Sequence, residues 1–358
     1  MSGRPKVRAD LAMRPGYHSP QIDVDVRLNT NEAPTALPAE FDAALVDALS
    51  TVEWNRYPDR ASTALRTAIA QRYGRSVEEV FVANGSNEVL QTVMLAFGGY
   101  GRKAALFEPT FAMHGQISKT TNTEVVEGQR AKDFSLDLDE VQRVITEHSP
   151  NVVFLCSPNN PTGIVDPAET VDRVLEMMDG TNGLLLVDEA YGQFADISAV
   201  SKIAEDVPLV VSRTFSKTWA MAGARLGYLL GPKWLVAELY KVVLPYHLDS
   251  FKQAAGTTAL DFADAMDAQV ATIVSERERV LGALEKLPVR AWPSGANFFL
   301  FKANEMSGDD LWQALVDRSV LVRNTANWPR LTDCLRVTVG TAEENDAFLA
   351  ALTEVLNA

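Results

Sequence analysis

The chain has 358 residues, and at about one domain per 150 residues this length predicts two domains. Hydrophobic residues make up 47% of the chain and charged residues 22%, which is typical of a soluble globular protein. The formal net charge of -14 argues against nucleic acid or an anionic membrane as a partner, because binding to either requires a basic surface.

The features that bear on the compartment predict a cytoplasmic enzyme. The two cysteines, Cys156 and Cys334, lack the paired spacing of metal ligands, which favours buried thiols in a reducing environment. Arg4, Lys6 and Arg8 are not followed by an apolar run, so we expect no secretory signal. No stretch of the sequence has the apolar length of a membrane span.

The N-terminal part predicts an arm and two helices. Residues 1–30 are rich in proline and charge and are expected to pack on another part of the protein. Asn29 and Asn31 stand beside a predicted turn. Their amides could stabilise that turn or face the substrate, and the sequence leaves both interpretations open. Apolar residues recur at helical spacing over residues 41–49 and 61–73, with Tyr57 between the two helices.

Residues 80–97 predict a strand, a turn and a helix that together form an anion site. An apolar run at 80–83 leads into Asn84-Gly85-Ser86-Asn87-Glu88, which precedes helical spacing over 89–97. Unpaired backbone N–H groups at the start of such a helix attract anions. A further strand over 103–107 is followed by Phe111 on a loop.

Two later strands also end in polar side chains. The strand at 151–156 runs into a proline-rich loop that contains Asn160, and the strand at 183–187 delivers Asp188. A buried acid is costly unless it is paired with a cation, and a protonated pyridine nitrogen would be such a cation. Strands and helices alternate over 80–230, which predicts an α/β fold with a mostly parallel sheet and helices on both faces.

Lys217 lies between two further predicted strands, at 208–211 and 225–230. Partial desolvation there lowers the pKa of a lysine and frees its neutral amine to attack a carbonyl. Thr214, Ser216 and Arg225 supply hydroxyls and a guanidinium, the donors that bind a phosphate. The combination points to pyridoxal phosphate, an aldehyde that carries a phosphate. Taken alone, the lysine would be one of many surface lysines.

The C-terminal part predicts a smaller α+β domain. Residues 250–287 show long helical spacing, and a helix at 309–318 and a strand at 320–323 follow. A strand at 334–340 precedes a last helix at 342–356. We therefore divide the chain into an N-terminal arm (1–30), a large cofactor-binding domain (31–245) and a small domain (246–358) that packs with part of the N-terminal segment.

Nine segments, in order from residue 28 to 341, carry a resemblance: LNTNEAP, NRYPD, NGSNE, EPTF, SPNNPTG, VDEAY, TFSKTWAMAGARLGY, SGANFFLF and CLRVTVGT. With them the chain resembles the pyridoxal-phosphate aminotransferases of fold type I, class II, and most closely the histidinol-phosphate aminotransferase family. The resemblance implies a large domain with a mostly parallel sheet, a smaller α+β domain and bound pyridoxal phosphate.

The resemblance also implies the roles of the residues around the cofactor. Lys217 matches the lysine that forms the Schiff base and moves the substrate's α-proton. Asp188 matches the carboxylate that keeps the pyridine nitrogen protonated. Tyr191 and Asn160 match the pair that binds the cofactor's phenolic oxygen, and Phe111 matches the aromatic residue that stacks on its ring.

For the phosphate, the resemblance implies one cradle within the chain and one residue from a second chain. Tyr57 matches a tyrosine that reaches the phosphate from the other subunit, which implies a homodimer. The cradle within the chain matches Ser86, Asn87, Thr214, Ser216 and Arg225.

For the substrate, the resemblance implies two arginines. Arg336 matches the arginine that binds the carboxylate of glutamate or 2-oxoglutarate. Arg323, with Tyr17 and Asn29, matches positions near the distal phosphate of the substrate. Two arginines in one cleft suit a site that accepts both a phosphate and a dicarboxylate.

The sequence departs from the family pattern around the substrate. The segment Asn31-Glu32-Ala33-Pro34 lacks the second asparagine that the family often has before the proline, Phe111 stands where tyrosine is common, and Asn324 follows Arg323 where aspartate is more usual. These positions affect the specificity for the substrate's side chain rather than the chemistry at Lys217.

Several activities remain open. The favoured one transfers the amino group of L-histidinol phosphate to 2-oxoglutarate, in histidine biosynthesis. An aromatic amino-acid aminotransferase is the alternative, with Trp219, Phe298 and Trp328 as candidates for an apolar pocket that suits imidazole or benzene. A decarboxylase of a phosphorylated amino acid would use the same lysine and aspartate without a keto acid. A non-catalytic cofactor-binding module, as in a transcription regulator, fits the acidic charge poorly.

Overall fold

A computed structural model describes residues 5, 6, 8 and 22–357, so the predicted site residue Tyr17 lies outside the described residues. The strands are β1 (Val26–Leu28), β2 (Val80–Ala83), β3 (Lys103–Glu108), β4 (Glu124–Gln129), β5 (Val152–Cys156), β6 (Leu184–Asp188), β7 (Leu209–Thr214), β8 (Gly227–Leu230), β9 (Val289–Ala291), β10 (Phe298–Ala303), β11 (Val320–Asn324) and β12 (Leu335–Thr338). The α-helices are α1 (Ala39–Ser50), α2 (Thr63–Arg72), α3 (Ser86–Phe97), α4 (Ala112–Thr120), α5 (Leu138–His148), α6 (Thr170–Met177), α7 (Lys233–Leu239), α8 (Ser250–Leu260), α9 (Ala263–Leu284), α10 (Gly308–Val316) and α11 (Ala342–Asn357).

Seven strands form the larger sheet, in the order β2-β8-β7-β6-β5-β3-β4. The pairs β3–β4, β3–β5, β5–β6 and β6–β7 are parallel, whereas β8 runs antiparallel to β2 and β7. Separate hydrophobic cores cover the two faces of this sheet, so its central strands are apolar along their whole length. The α/β prediction is confirmed.

Five strands form the smaller sheet, in the order β1-β11-β12-β10-β9. Strand β1 comes from the N-terminal part of the chain and pairs in parallel with β11, while the other pairs are antiparallel. A separate core lies on this sheet, with Phe298, Phe301 and Phe348 among its fully buried members. The smaller sheet therefore joins residues that are almost three hundred positions apart.

The division of the chain at residue 245 stays a prediction, and the contacts near it are specific. Helix α8 lies beyond that residue but packs against α1 and α2. Helix α9 bridges the two cores: Met266 belongs to the core of the larger sheet, and Ile273, Val280 and Leu284 belong to that of the smaller one.

Several elements differ from the predicted ones. The helical stretch predicted over 250–287 is broken at 261–262 into α8 and α9. Helix α4 was not predicted, because His114, Gly115 and Ser118 weaken its helical pattern. Strand β4 was also missed, since it is an edge strand with a half-exposed face. Within residues 22–357, no helix combines the length and apolar composition that a membrane span requires.

The topology brings the chemically distinctive side chains to one edge of the larger sheet. Parallel strands β5, β6 and β7 all end there, and the register pairs Cys156 with Asp188 and Asp188 with Ser212. Ligands of open parallel sheets bind outside this carboxyl edge. The smaller sheet faces the same space with β11 and β12, which carry Arg323 and Arg336.

Candidate active site

One cavity, with a volume of about 350 Å³, lies between the carboxyl edge of the larger sheet and the smaller sheet. All the predicted site residues of the described chain line it, except Tyr57. They come from nine separate segments of the sequence and are Asn29, Ser86, Asn87, Phe111, Asn160, Asp188, Tyr191, Thr214, Ser216, Lys217, Arg225, Arg323 and Arg336.

Lys217 projects into this cavity from the loop after β7. Its Nζ donates a hydrogen bond to the backbone oxygen of Thr30 at 3.0 Å and lies 5.9 Å from the centre of the Tyr191 ring. Desolvation is the main cause that lowers its pKa from 10.5 to about 7, and the positive charges of Arg336 and Arg225 add to the effect. A substantial fraction of the amine is therefore neutral near pH 7, and the neutral form is the one that attacks a carbonyl.

Asp188 stands at the tip of β6 and is 2% exposed. Its Oδ1 accepts a hydrogen bond from the backbone N–H of Ala190 at 3.1 Å, and its Oδ2 lies 2.9 Å from His114 Nε2. Because a carboxylate only accepts, the imidazole donates through Nε2–H. The His114 ring also stacks on Phe154, with centroids 4.8 Å apart, so the carboxylate is held in one orientation.

The N-terminus of α3 forms an anion cradle with the loops around β7 and β8. Ser86 and Asn87 begin the helix, where backbone N–H groups have no partner within the helix. Arg225 Nη1 donates to Ser216 Oγ at 3.3 Å, and the backbone N–H of Ser216 donates to Thr214 Oγ1 at 3.1 Å. A guanidinium, two hydroxyls and a helix N-terminus are the donor set of a phosphate site.

Two glycines let the parts of this cradle approach each other. Gly85 has a φ of +83°, and a Cβ there would lie 2.9 Å from Arg225 Nη2. A Cβ on Gly227 would lie 2.5 Å from the carbonyl carbon of Gly85 and would also overlap the backbone nitrogen of Ser86. Side chains at either position would fill the cradle, so its shape depends on these glycines.

Tyr191 is held at the cavity wall by a residue from the N-terminal segment. The Nδ2 of Asn31 donates to the Tyr191 hydroxyl at 2.9 Å, and the backbone of Asn31 has a φ of 55°. The Asn31 N–H donates to Thr338 Oγ1 at 2.9 Å, which ties this turn to β12. Burial is the main cause that raises the pKa of Tyr191 to about 12, so the phenol stays protonated at neutral pH.

Arg336 and Arg323 lie side by side because the register of β11 and β12 pairs them directly. Arg336 Nη1 donates to Asn160 Oδ1 at 2.6 Å, and its Nη2 donates to the backbone oxygen of Asn29 at 2.9 Å. The Arg323 guanidinium lies over the Trp328 ring, 5.6 Å from its centre. Two guanidinium groups on one wall suit an anionic substrate.

A buried ion pair between Arg213 and Glu189 joins the ends of β6 and β7. Arg213 Nη2 lies 2.6 Å from Glu189 Oε2, and the two side chains are 6% and 2% exposed. The Arg213 Nη1 also donates to the Tyr73 hydroxyl at 2.9 Å. Because Glu189 follows Asp188 and Arg213 precedes Thr214, the pair fixes the ends of β6 and β7 from the side away from the cavity.

Of the three aromatic residues expected to form a pocket, only Trp328 lines the cavity. The expectation is wrong for Trp219, which is fully buried in the core of the larger sheet against Phe215. It is also wrong for Phe298, whose ring packs against Tyr191. The pattern of aromatic residues could not distinguish core packing from cavity lining.

Tyr57 lies apart from the cavity of its own chain. Its side chain is 80% exposed and stacks on Tyr246, with centroids 4.5 Å apart. The neighbouring Trp54 and Leu244 are 82% and 76% exposed, and the Trp54 ring contacts Phe251. Trp54, Tyr57, Leu244 and Tyr246 are thus exposed large hydrophobic side chains.

Among the residues that sequence reasoning missed, three on α4 line the cavity or support it. His114 was missed because α4 was not predicted, although its position three residues after Phe111 would place the two on adjacent turns of a helix. Met113 and Gln116 line the cavity from the same helix, and nothing in their sequence context identified them.

The residues present fit pyridoxal phosphate. The anion cradle around Gly85 suits its phosphate, and the desolvated amine of Lys217 suits its aldehyde. Asp188 is a buried carboxylate that would face a protonated ring nitrogen, and Phe111 offers a ring for stacking.

Comparison with known proteins gives consistent results. The family model described as aminotransferase class I and II matches residues 23–352. The histidinol-phosphate aminotransferase of Mycolicibacterium smegmatis is 44% identical to this chain and covers 98% of it and 93% of the relative. The histidinol-phosphate aminotransferase of Frankia casuarinae is 45% identical, and the match covers 95% of this chain and 87% of the relative. A crystal structure of histidinol-phosphate aminotransferase from Sinorhizobium meliloti in complex with pyridoxal-5'-phosphate matches with a TM-score of 0.84 and 22% identity. The match covers 93% of this chain and 91% of that structure's chain.

Proposed function

The chain belongs to the class I and II aminotransferases, and within them to the histidinol-phosphate aminotransferase family, and we propose that it transfers the amino group of L-histidinol phosphate to 2-oxoglutarate. The products would be imidazole acetol phosphate and L-glutamate, in histidine biosynthesis. The chain is a pyridoxal-phosphate-dependent aminotransferase of fold type I. The observation that carries the proposal is the single cavity that joins Lys217 and Asp188 to two adjacent arginines, Arg323 and Arg336.

When bound, pyridoxal phosphate supplies an aldehyde that accepts the amino group and a ring that withdraws electrons from the substrate's α-carbon. Lys217 would hold the cofactor and, as a neutral amine, take the proton from that carbon. Asp188, oriented by His114, would keep a proton on the ring nitrogen. Phe111 would stack on the ring, and Tyr191 and Asn160 would bind its phenolic oxygen.

For the cofactor's phosphate, we propose the donors of the anion cradle. The charge of Arg225 and the backbone N–H groups at the start of α3 favour a dianion there. The side chains that would bind this phosphate are Ser86, Asn87, Thr214, Ser216 and Arg225.

The two arginines would serve the two substrates in turn. Arg336 would bind the carboxylate of glutamate or 2-oxoglutarate, and Arg323, with Asn29, would bind the phosphate of L-histidinol phosphate. Each substrate would use the site after the product of the other has left, which is a ping-pong mechanism.

We further propose a homodimer that works in the cytoplasm. Exposed large hydrophobic side chains such as Trp54, Tyr57 and Leu244 are typical of interfaces, and Tyr57 does not line the cavity of its own chain, so we assign it to the cofactor phosphate of a partner. Cys156 and Cys334 are buried free thiols, as in proteins of a reducing compartment.

The test is competition by inorganic phosphate. Glutamate formation from 2-oxoglutarate is measured with L-histidinol phosphate and with L-phenylalanine as donors. We expect higher kcat/KM for L-histidinol phosphate and competitive inhibition by phosphate, both reduced in Arg323→Gln. The matched control is Arg290→Gln, which removes an arginine from a similar contact with Trp292 outside the cavity.

Two results would refute the proposal. A preference for L-phenylalanine in the wild-type protein would make it an aromatic amino-acid aminotransferase. Turnover of a phosphorylated amino acid without any keto acid would make it a decarboxylase.

A further inference from the structure

Eleven lining residues remain once those that fit the cofactor have been accounted for, and four of them bear on the substrate's ring and its anionic group. Met113, Gln116, Arg323 and Trp328 line the same cavity but belong to none of the groups that fit the phosphate, ring or aldehyde of pyridoxal phosphate. Arg323 suits an anionic group of the substrate, whereas the other three have uncharged side chains that suit its ring. The choice between an imidazole and a benzene ring therefore depends on them.

Helix α4 presents two of these residues to the cavity. Met113 and Gln116 are three positions apart, so they lie on one face of the helix. The residues of the other face, His114, Ile117 and Ser118, are buried in the protein. Gln116 is half-buried, and its side-chain amide forms no hydrogen bond with any residue in the described part of the chain.

None of the other three residues, Met113, Arg323 and Trp328, recognises a neutral heteroaromatic ring through both a donor and an acceptor. The Trp328 indole N–H is used by the backbone oxygen of Thr110 at 2.9 Å, and the Arg323 guanidinium lies over its ring. Met113 contributes a thioether, and Arg323 contributes donors alone. Gln116 is the one neutral group of this set that both donates and accepts.

We propose that Gln116 is the specificity-determining residue that selects imidazole over benzene in the substrate, and this inference rests on the proposed function. Its amide oxygen accepts from a ring N–H, and its NH₂ group donates to an unprotonated ring nitrogen, so either tautomer of imidazole finds a partner. A benzene ring offers neither and would desolvate the amide without compensation. The ring selectivity then comes from one hydrogen bond, while Arg323 recognises the phosphate.

The experiment compares two amino donors that differ in the ring alone, L-histidinol phosphate and L-phenylalaninol phosphate. For the wild-type holoenzyme we expect kcat/KM to favour the imidazole donor by about tenfold or more, the usual value of one hydrogen bond that a competitor leaves unmade. In Gln116→Leu we expect that ratio to fall towards one, because kcat/KM decreases for the imidazole donor and increases for the benzene donor. Both donors keep the phosphate, so binding by Arg323 cancels in the ratio.

Two controls separate a change of specificity from damage. Gln142→Leu makes the same substitution on α5, where the amide contacts Thr146 on the surface, and is expected to leave the ratio unchanged. Gln116→Asn retains an amide on a shorter side chain and is expected to recover part of the selectivity. Binding of pyridoxal phosphate by each variant is confirmed from its visible absorbance.

The outcomes are distinct for the two proposals. If the wild-type protein transaminates L-histidinol phosphate with the expected selectivity and Gln116→Leu retains that ratio, the role of Gln116 is refuted while the proposed function stands. If Gln116→Leu lowers kcat/KM equally for both donors, the role of Gln116 is also refuted. If the wild-type protein transfers no amino group from L-histidinol phosphate, the proposed function itself fails.

Discussion

Lys217 illustrates how burial sets the chemistry of a single residue. Its amine would carry a proton at neutral pH in water, but desolvation and two nearby arginines bring its pKa to about 7. The same cavity keeps the phenol of Tyr191 protonated by raising its pKa to about 12. One residue is thus prepared to lose a proton and the other to keep it, within a few ångströms of each other.

We predict that the apoenzyme combines covalently with pyridoxal phosphate at a rate that follows the neutral fraction of Lys217. Because the pKa of the lysine is lowered, the rate should rise with pH, reach half its maximum near pH 7 and level off above about pH 8. The rate is measured by stopped-flow absorbance and compared with Lys217→Ala, which should fold but form no covalent link. A rate that continues to rise to pH 10 would mean an ordinary lysine.

His114 is predicted to support the carboxylate of Asp188. In His114→Phe the ring and its stacking on Phe154 are retained, but Asp188 Oδ2 loses its side-chain donor. A hydrogen bond to a charged group stabilises it enough that kcat should fall by about tenfold or more while the cofactor remains bound. The control is His148→Phe, at a side chain that is 36% exposed. Unchanged kcat in His114→Phe would show that Asp188 needs no partner.

At the scale of elements, the site depends on strand ends and helix starts. Asp188 ends β6, Lys217 lies on the loop that follows the neighbouring β7, and α3 begins shortly after β2 ends. The sequence predicted these units well, because each is a local pattern: an apolar run that ends in a polar or glycine-containing turn. The pairing of Arg323 with Arg336, and the bond from Asn31 to Tyr191, depend on strand register and long-range packing, which no local pattern contains.

The close approach of β8 to α3 gives a prediction for the cradle. Gly227→Ala places a Cβ against the backbone of Gly85 and Ser86, so the two elements must separate and the affinity for pyridoxal phosphate should fall by roughly tenfold. Gly282→Ala on α9 is the control, because a Cβ there meets no atom within 4 Å. The affinities are measured by cofactor titration of the apoenzymes. Equal affinities for the two variants would contradict the account of the cradle.

For the whole molecule, the two sheets enclose a site that neither forms alone. The larger sheet supplies the groups that fit the cofactor, and the smaller sheet supplies the arginines that suit the substrates. Composition and the order of the motifs predicted the α/β class and the aminotransferase family. They did not predict that β1 joins the smaller sheet or that α8 packs against α1 and α2, because these contacts form between distant segments.

The proposed dimer predicts complementation between two inactive variants. If Tyr57 serves the partner's site, an equal mixture of Tyr57→Ala and Lys217→Ala, unfolded and refolded together, should contain heterodimers with one intact site. Random pairing gives about a quarter of the wild-type activity. The separately refolded variants are the control. If the mixture is no more active than their average, Tyr57 does not act across an interface.

The most direct test of the central claim is a half-reaction without a keto acid. The holoenzyme is mixed rapidly with L-histidinol phosphate, L-phenylalanine or L-glutamate, and the conversion of the cofactor to its amino form is followed by absorbance. We predict rapid conversion by L-histidinol phosphate and by L-glutamate, and much slower conversion by L-phenylalanine. Faster conversion by L-phenylalanine than by L-histidinol phosphate, or no conversion by any donor, would contradict it.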